Sequence, residues 1–170
     1  MHKTKNILKI IFIYLTLCLN TFAENKVGYL DLDFILSNIN AGKILFNKLE
    51  KNESEKIEEL KIKEVNLKNE ENKILASKNI ISEDQLKINI DNFKLKLQKY
   101  KNLKNTELDS LKKIRNEKVL NLINQINPII KDYMTENSIS IIIDKKNIYI
   151  ADKKFDFSNN LIELINKKIK

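Results

Sequence analysis

The sequence predicts an α+β chain, predominantly helical, in which a long antiparallel helical hairpin of coiled-coil type is inserted into a small β-containing body. Three observations carry that expectation. From Ala41 to Ser77, the apolar residues Ile57, Leu60, Leu67 and Ile74 recur at spacings of three and seven among Lys, Glu and Asn, a seam too narrow for a core-facing helix. From Glu83 onward, Leu86, Ile90, Phe93, Leu97 and Tyr100 alternate steps of four and three, the heptad spacing that lets two helices supercoil. Leu111 and Ile114 resume it after an interruption at Lys104 and Glu107. On either side of this region the period changes to two, around Val27 and around Ile141, as strands require.

The first residues are set apart from the fold. Met1 to Asn6 is polar and basic, Ile7 to Leu19 is apolar apart from Lys9 and Thr16, and Asn20-Thr21-Phe22-Ala23 follows. This is the pattern of a secretory signal peptide cleaved after Ala23. Its apolar run is about thirteen residues, shorter than the roughly twenty that a spanning helix needs. Leu17, before Cys18, is not the small residue that lipoprotein processing requires, so Cys18 reads as apolar filler. Cleavage would remove His2 and Cys18, the only His and the only Cys, together with Lys3, Lys5 and Lys9. From 31 basic and 23 acidic residues it would leave a net charge of +5 on 147 residues. A cysteine-free exported chain suits an oxidising compartment but has no disulfide framework.

Residues 24–40 form the first piece of the body. Lys26-Val27-Gly28-Tyr29-Leu30-Asp31 reads as a strand in which Gly28 marks close backbone approach. Leu32, Ile35, Leu36 and Ile39 then take helical spacing, with Asp31 or Asp33 as N-cap. The arm occupies residues 41–136, with Gly42 in its opening turn, where a glycine is expected to cost little. Its first limb would extend roughly 55 Å at about 1.5 Å per residue. The period fails over Ser77 to Ile81, and Ser82-Glu83-Asp84-Gln85 reads as a capping box, Ser82 capping and Gln85 reaching back to its amide. A denser patch, Val119, Leu122, Ile123, Ile126, Ile129, Ile130, Tyr133 and Met134, marks entry into the body, and Pro128 within it predicts a kink.

Residues 137–170 complete the body. Ile139, Ile141 and Ile143 alternate with Ser140, Ile142 and Asp144; Lys145-Lys146-Asn147 reads as a turn and Ile148 to Ala151 as the partner strand of a β-hairpin. Ser158 is expected to cap a last helix whose apolar face is Leu161, Ile162, Leu164, Ile165 and Ile169, with Lys167, Lys168 and Lys170 at its carboxyl end. So small a body would struggle to stand alone, and oligomerisation is the natural remedy.

No catalytic, cofactor-binding or metal-binding set can be assembled. Two glycines exclude a phosphate-cradling loop, and with it an ATP-driven cycle built on one. Acid pairs such as Glu58 with Glu59 or Glu70 with Glu71 would be solvated, with no pocket to shift them, so the chain does not read as an enzyme. Charge is more informative. Ala41 to Asn72 holds seven Lys and eight Glu, whereas Lys73 to Lys104 holds Lys73, Lys78, Lys87, Lys94, Lys96, Lys99, Lys101 and Lys104 against Glu83, Asp84 and Asp91. A solvated helix face is the commoner meaning of such a run; the functional reading of this distal cluster is attraction of acidic polypeptide, anionic lipid or nucleic acid, with a sensitivity to salt set by screening over about 10 Å. Nucleic acid fits the sign of the charge but not the placement of Phe93 and Tyr100 in the seam of an exported chain.

In their order around the arm, several short stretches resemble the Skp (OmpH) family of periplasmic chaperones: Lys26-Val27-Gly28-Tyr29-Leu30-Asp31, Ile35-Leu36, Ala41-Gly42-Lys43, Ile81-Ser82-Glu83, Ile126-Asn127-Pro128-Ile129-Ile130, Ile141-Ile142-Ile143-Asp144, Ile148-Tyr149-Ile150-Ala151 and Asp156-Phe157-Ser158. The resemblance covers essentially the whole chain beyond residue 23. It implies a homotrimer joined at the β-containing body, with Val27, Tyr29, Leu30, Ile141 and Ile143 in the contacts and three arms round a cavity. Unfolded outer-membrane proteins would be held there, without ATP, until delivered for membrane insertion. The distal lysines would serve client or membrane approach, with anionic lipid or lipopolysaccharide as a further partner. The chain departs from the family where a glycine usually precedes the second strand, here Asn137-Ser138, and in the many Asn residues of its arm, which lower intrinsic helicity. The same heptads also fit a structural coiled-coil spacer or envelope adaptor, which should ignore unfolded clients.

Overall fold

A computed structural model describes residues 26–169. The expected signal segment and Lys170 lie outside the described residues. Strand β1 (Lys26–Leu30) leads into a short helix α1 (Leu32–Asn38), then the two long helices α2 (Asn40–Ser77) and α3 (Glu83–Glu136). Strand β2 (Ile139–Asp144), two short 3₁₀ turns (Lys145–Asn147 and Lys153–Phe155) and helix α4 (Ser158–Lys168) follow. The 38 residues of α2 span roughly 57 Å at about 1.5 Å per residue. Only Gly42, Leu49 and Leu60 are buried along that whole length.

The turn between the limbs forms where the heptads stop. Ser82 caps α3, its Oγ accepting from the Gln85 amide at 3.3 Å. The other half of the expected capping box is absent: the Gln85 side chain donates forward to Asn89 Oδ1 at 3.0 Å. Helix α3 runs through Pro128 as a single element, with Ile126, Ile129 and Ile130 buried around it. It ends at Asn137, whose Nδ2 donates to the Tyr133 carbonyl at 2.8 Å, and at Ser138, which takes a left-handed φ of 55°.

The expected β-hairpin does not form. β2 pairs instead with β1, in parallel, matching Val27 with Ile141, Gly28 with Ile142 and Tyr29 with Ile143. Two parallel strands need a long crossover, and the arm supplies it. Lys145–Asn147 is a 3₁₀ turn in which Asp144 Oδ1 accepts from the Lys146 amide at 3.1 Å, so the chain turns away from β2. Ile148 to Ala151 continues without joining a described strand, and Tyr149 and Ile150 stand exposed.

One face of the sheet looks into the core formed by Leu30, Ile35, Leu36, Ile39, Leu122, Ile126, Ile129, Ile130, Leu161 and Ile165, with Ile142 packed on it. Both glycines are set by contacts. A Cβ on Gly28 would run into the Phe157 ring, and one on Gly42 into the Leu36 carbonyl oxygen. The opening turn of α2 therefore packs backbone against the end of α1, which overturns the expectation that Gly42 is incidental. Ser158 also differs from its expected role. It lies inside α4, where its buried Oγ accepts from the Asp31 amide at 2.8 Å and donates to Asp156 Oδ1 at 2.6 Å, so it ties β1 to α4. Asn166 Oδ1 performs a similar service for α2 by accepting from the Asn40 amide at 2.7 Å.

Candidate functional site

Two surfaces are left open by this packing, one along the arm and one on the sheet. In the arm the apolar seam is incompletely closed on either side of Leu60: Leu67, Ile74, Phe93 and Leu97 are half-buried, and Ile57, Ile90 and Ile114 are exposed. Polar contacts between the limbs supplement it. Lys96 pairs with Glu70 at 2.6 Å, Lys104 with Glu64 at 3.2 Å, Lys56 with Glu107 at 3.8 Å and Arg115 with Glu53 at 3.2 Å. Lys104 and Glu107, which interrupt the apolar heptads, are thus both used between the helices. Such exposed pairs contribute about 0–1 kcal/mol each, so the arm is held together weakly along its length.

Tyr100 makes the most connected of these contacts. Its hydroxyl donates to Glu64 Oε2 at 2.8 Å, with the Leu60 carbonyl oxygen 3.2 Å away, and Lys104 Nζ approaches the same Glu64 oxygen while lying 5.8 Å from the Tyr100 ring centroid. The Tyr100 hydroxyl, followed by Lys104, lowers the Glu64 pKa, and the Glu64 carboxylate raises that of Lys104. Partial burial, then Glu64, raises the pKa of Tyr100.

The distal lysines divide into two groups. Lys94, Lys96 and Lys104 are engaged, with Asp91 at 3.3 Å, Glu70 and Glu64 respectively. Lys73, Lys78, Lys87, Lys99 and Lys101 form no ion pair with a described residue and are exposed. The cluster is therefore spread over both limbs, not gathered at one point. Heptad reasoning passed over further exposed apolar residues of the arm: Ile62, Val65, Leu75, Ile88 and Leu95, of which Val65 and Leu75 border the seam. Ile88 and Leu95, seven residues apart, could have been found as apolar residues on the outer face of a charged helix.

On the sheet, Val27, Tyr29, Ile141 and Ile143 share the face opposite the core. Val27 is 45% exposed, Ile141 53% and Ile143 37%, while Tyr29 is largely covered. A groove of about 860 Å³ crosses this face, bounded by Ile148, Ala151 and Phe155. Leu30 belongs elsewhere: it is buried in the internal core and presents nothing to this face.

Among the described residues, no group of His, Cys, Asp or Glu is placed to hold a metal ion, and no helix is long and apolar enough to cross a membrane. The open surfaces suit binding over an extended area. The architecture has a solved counterpart. A crystal structure of a candidate outer membrane chaperone, OmpH-like, from Caulobacter crescentus CB15 is similar with a TM-score of 0.73 at 18% identity, over 85% of each chain. No curated protein matches the sequence. The family model for OmpH, described as outer membrane protein (OmpH-like), matches residues 26–165, from the first residue of β1 into α4. With the match spanning both strands, the whole arm and the last helix, the chain belongs to the OmpH-like outer membrane protein family.

Proposed function

We propose that this protein is an ATP-independent holdase chaperone of the periplasm, exported by a cleaved signal peptide, that binds unfolded outer-membrane proteins and keeps them from aggregating before membrane insertion. The observation that carries this reading is the arm, in which half-open apolar side chains alternate with unpaired lysines over roughly 57 Å of helix. Many weak apolar and charged contacts, presented together, hold a flexible chain firmly while leaving it mobile. Membership of the OmpH-like family and the fold shared with the Caulobacter structure support the same reading.

The protein works as a homotrimer. Val27, Ile141 and Ile143 leave an apolar sheet face uncovered on a small body, and three such faces brought together would bury it and add to its stability. Tyr29 lines the same groove, whereas Leu30 supports the face from within the core. The three arms then enclose a shared cavity. Binding is non-enzymatic and uses no cofactor, and anionic lipid or lipopolysaccharide is a secondary partner of the distal lysines.

A structural spacer or envelope adaptor is the competing reading, and the ion pairs that brace the limbs are what favour it. The two separate on dilution of a urea-unfolded outer-membrane barrel into buffer containing the protein and no nucleotide. A holdase suppresses light scattering and co-elutes with the client as three copies to one. Scattering left unchanged by a well-folded oligomer would establish the spacer instead.

A further inference from the structure

Midway along the arm, α2 and α3 leave between them an open groove of about 650 Å³. Its floor is apolar, made by Val65 and Leu67 of α2 with Phe93 and Leu97 of α3. Its rim carries Lys61, Lys68, Lys101 and Lys104 against Glu64 and Glu71. Both carboxylates are already engaged, Glu64 by Tyr100 and Lys104, and Glu71 by Lys68 at 2.7 Å. Lys101 has no ion-pair partner among the described residues, and Lys61 reaches only Glu58, at 4.0 Å and outside the groove. The groove thus combines an apolar floor with surplus positive charge on its edges. A ligand that complements it must present apolar groups to the floor and negative charge within reach of the rim lysines.

We propose that this groove is a docking site for extended polypeptide segments in which apolar residues alternate with acidic ones. In an extended chain successive side chains point to opposite sides, so every second residue can rest on Phe93, Leu97 and Val65 while the long Lys101 and Lys61 side chains reach up from the rim to the intervening carboxylates. Strands of outer-membrane barrels alternate apolar and polar residues, so the clients considered above supply such segments wherever the polar positions are acidic. The inference deepens the holdase reading and rests on it for the identity of the client. It adds that capture depends on sequence pattern at one place on the arm.

The test uses the purified protein and fluorescein-labelled peptides of about ten residues, which extend to roughly 33 Å. One alternates Leu or Tyr with Glu; a second has the same composition arranged in an apolar block and an acidic block. Binding is followed by anisotropy at low and at moderate salt. The alternating peptide is expected to bind about tenfold more tightly than the blocked one, about 1.4 kcal/mol. Val65→Asp and Lys101→Glu should each abolish most of that preference. Both positions are exposed, and an unchanged circular dichroism spectrum confirms that the arm is intact. Equal binding of the two peptides overturns the proposal in favour of unpatterned charge adsorption, and a preference untouched in a folded Lys101→Glu overturns it by placing the pattern reading away from this groove. Vesicles rich in phosphatidylglycerol that bind with the same sensitivity to Val65→Asp, while the peptides do not bind, overturn it in favour of a lipid surface. Aggregation suppression by the wild-type protein is scored in parallel. Suppression without pattern preference removes the groove but keeps the holdase, and pattern-dependent binding without suppression does the reverse.

Discussion

Gly42 is a residue at which two physical rules give opposite signs. Helix propensity alone makes Gly42→Ala stabilising by up to about 1 kcal/mol. The contact with the Leu36 carbonyl oxygen instead makes it destabilising, by about 2–3 kcal/mol as for an overpacked core, since a backbone atom must move. Urea unfolding decides between them by the sign of the change. Ser138 presents the inverse case. It holds a left-handed φ of 55° at the end of α3, a conformation that costs an L-residue roughly 1–2 kcal/mol and glycine nothing, so Ser138→Gly should raise stability by about 1 kcal/mol. Asp31 caps α1 by accepting from the Phe34 amide at 3.0 Å, with Lys145 Nζ 3.2 Å away. The Phe34 hydrogen bond foremost, aided by Lys145 and opposed by burial, holds its pKa below the usual 3.8. A depressed carboxylate stabilises the fold above its unfolded pKa and stops doing so as pH falls through the folded value. Asp31→Ala should therefore cost about 1 kcal/mol at neutral pH, a difference that shrinks only below about pH 4.

At the scale of elements, the hairpin was legible in the sequence because its determinants are local. Leu86, Ile90, Phe93 and Leu97 announce their period within three turns, and Ser82 announces the start of α3. Partnership between strands is not local. Ile139 to Asp144 has the alternation of a strand, but alternation says nothing about which strand lies beside it, and the turn at Lys145-Lys146-Asn147 forms yet leads away from β2 instead of back along it. The candidate surfaces were legible in part for the same reason. Lysine counts located the charge, whereas the distinction between paired Lys96 and unpaired Lys99 depends on where the opposite limb lies. That distinction sharpens one experiment. Replacing Lys73, Lys78, Lys87 and Lys99 by Glu removes attraction without breaking a described interhelical pair, and should slow client capture severalfold at low salt and little at high salt in stopped-flow mixing. Tyr100→Phe tests the clasp between the limbs. It keeps the ring and deletes the bond to Glu64, so amide exchange in the middle of the arm should accelerate, by a factor matching about 0.5–1.5 kcal/mol, while the body stays protected.

For the whole molecule, the two faces of one small sheet have different roles under the proposed trimer, one in folding and the other in assembly. Ile142 packs on the internal core and Ile141 projects outward, so Ile142→Asp should unfold the protomer while Ile141→Asp should leave it helical and reduce its mass in sedimentation to that of a single chain. The parallel pairing of β1 and β2 has a consequence in time as well as in space. Each long helix can form from neighbouring residues, but the body closes only when ends far apart in sequence meet; the bond from the Asp31 amide to Ser158 Oγ joins residues 127 positions apart. Contacts of such separation are slow to find. A chain threaded across a membrane from its N-terminus would present a formed arm before its body could close, and refolding should show a fast helical phase followed by a slower one that reports on Tyr133 and Phe157, whose rings meet at 5.8 Å only in the finished body. Exported as proposed, the protein would itself be briefly an unclosed chain of the kind it is proposed to protect, and finished copies acting as proposed would be the nearest available shelter for a new one.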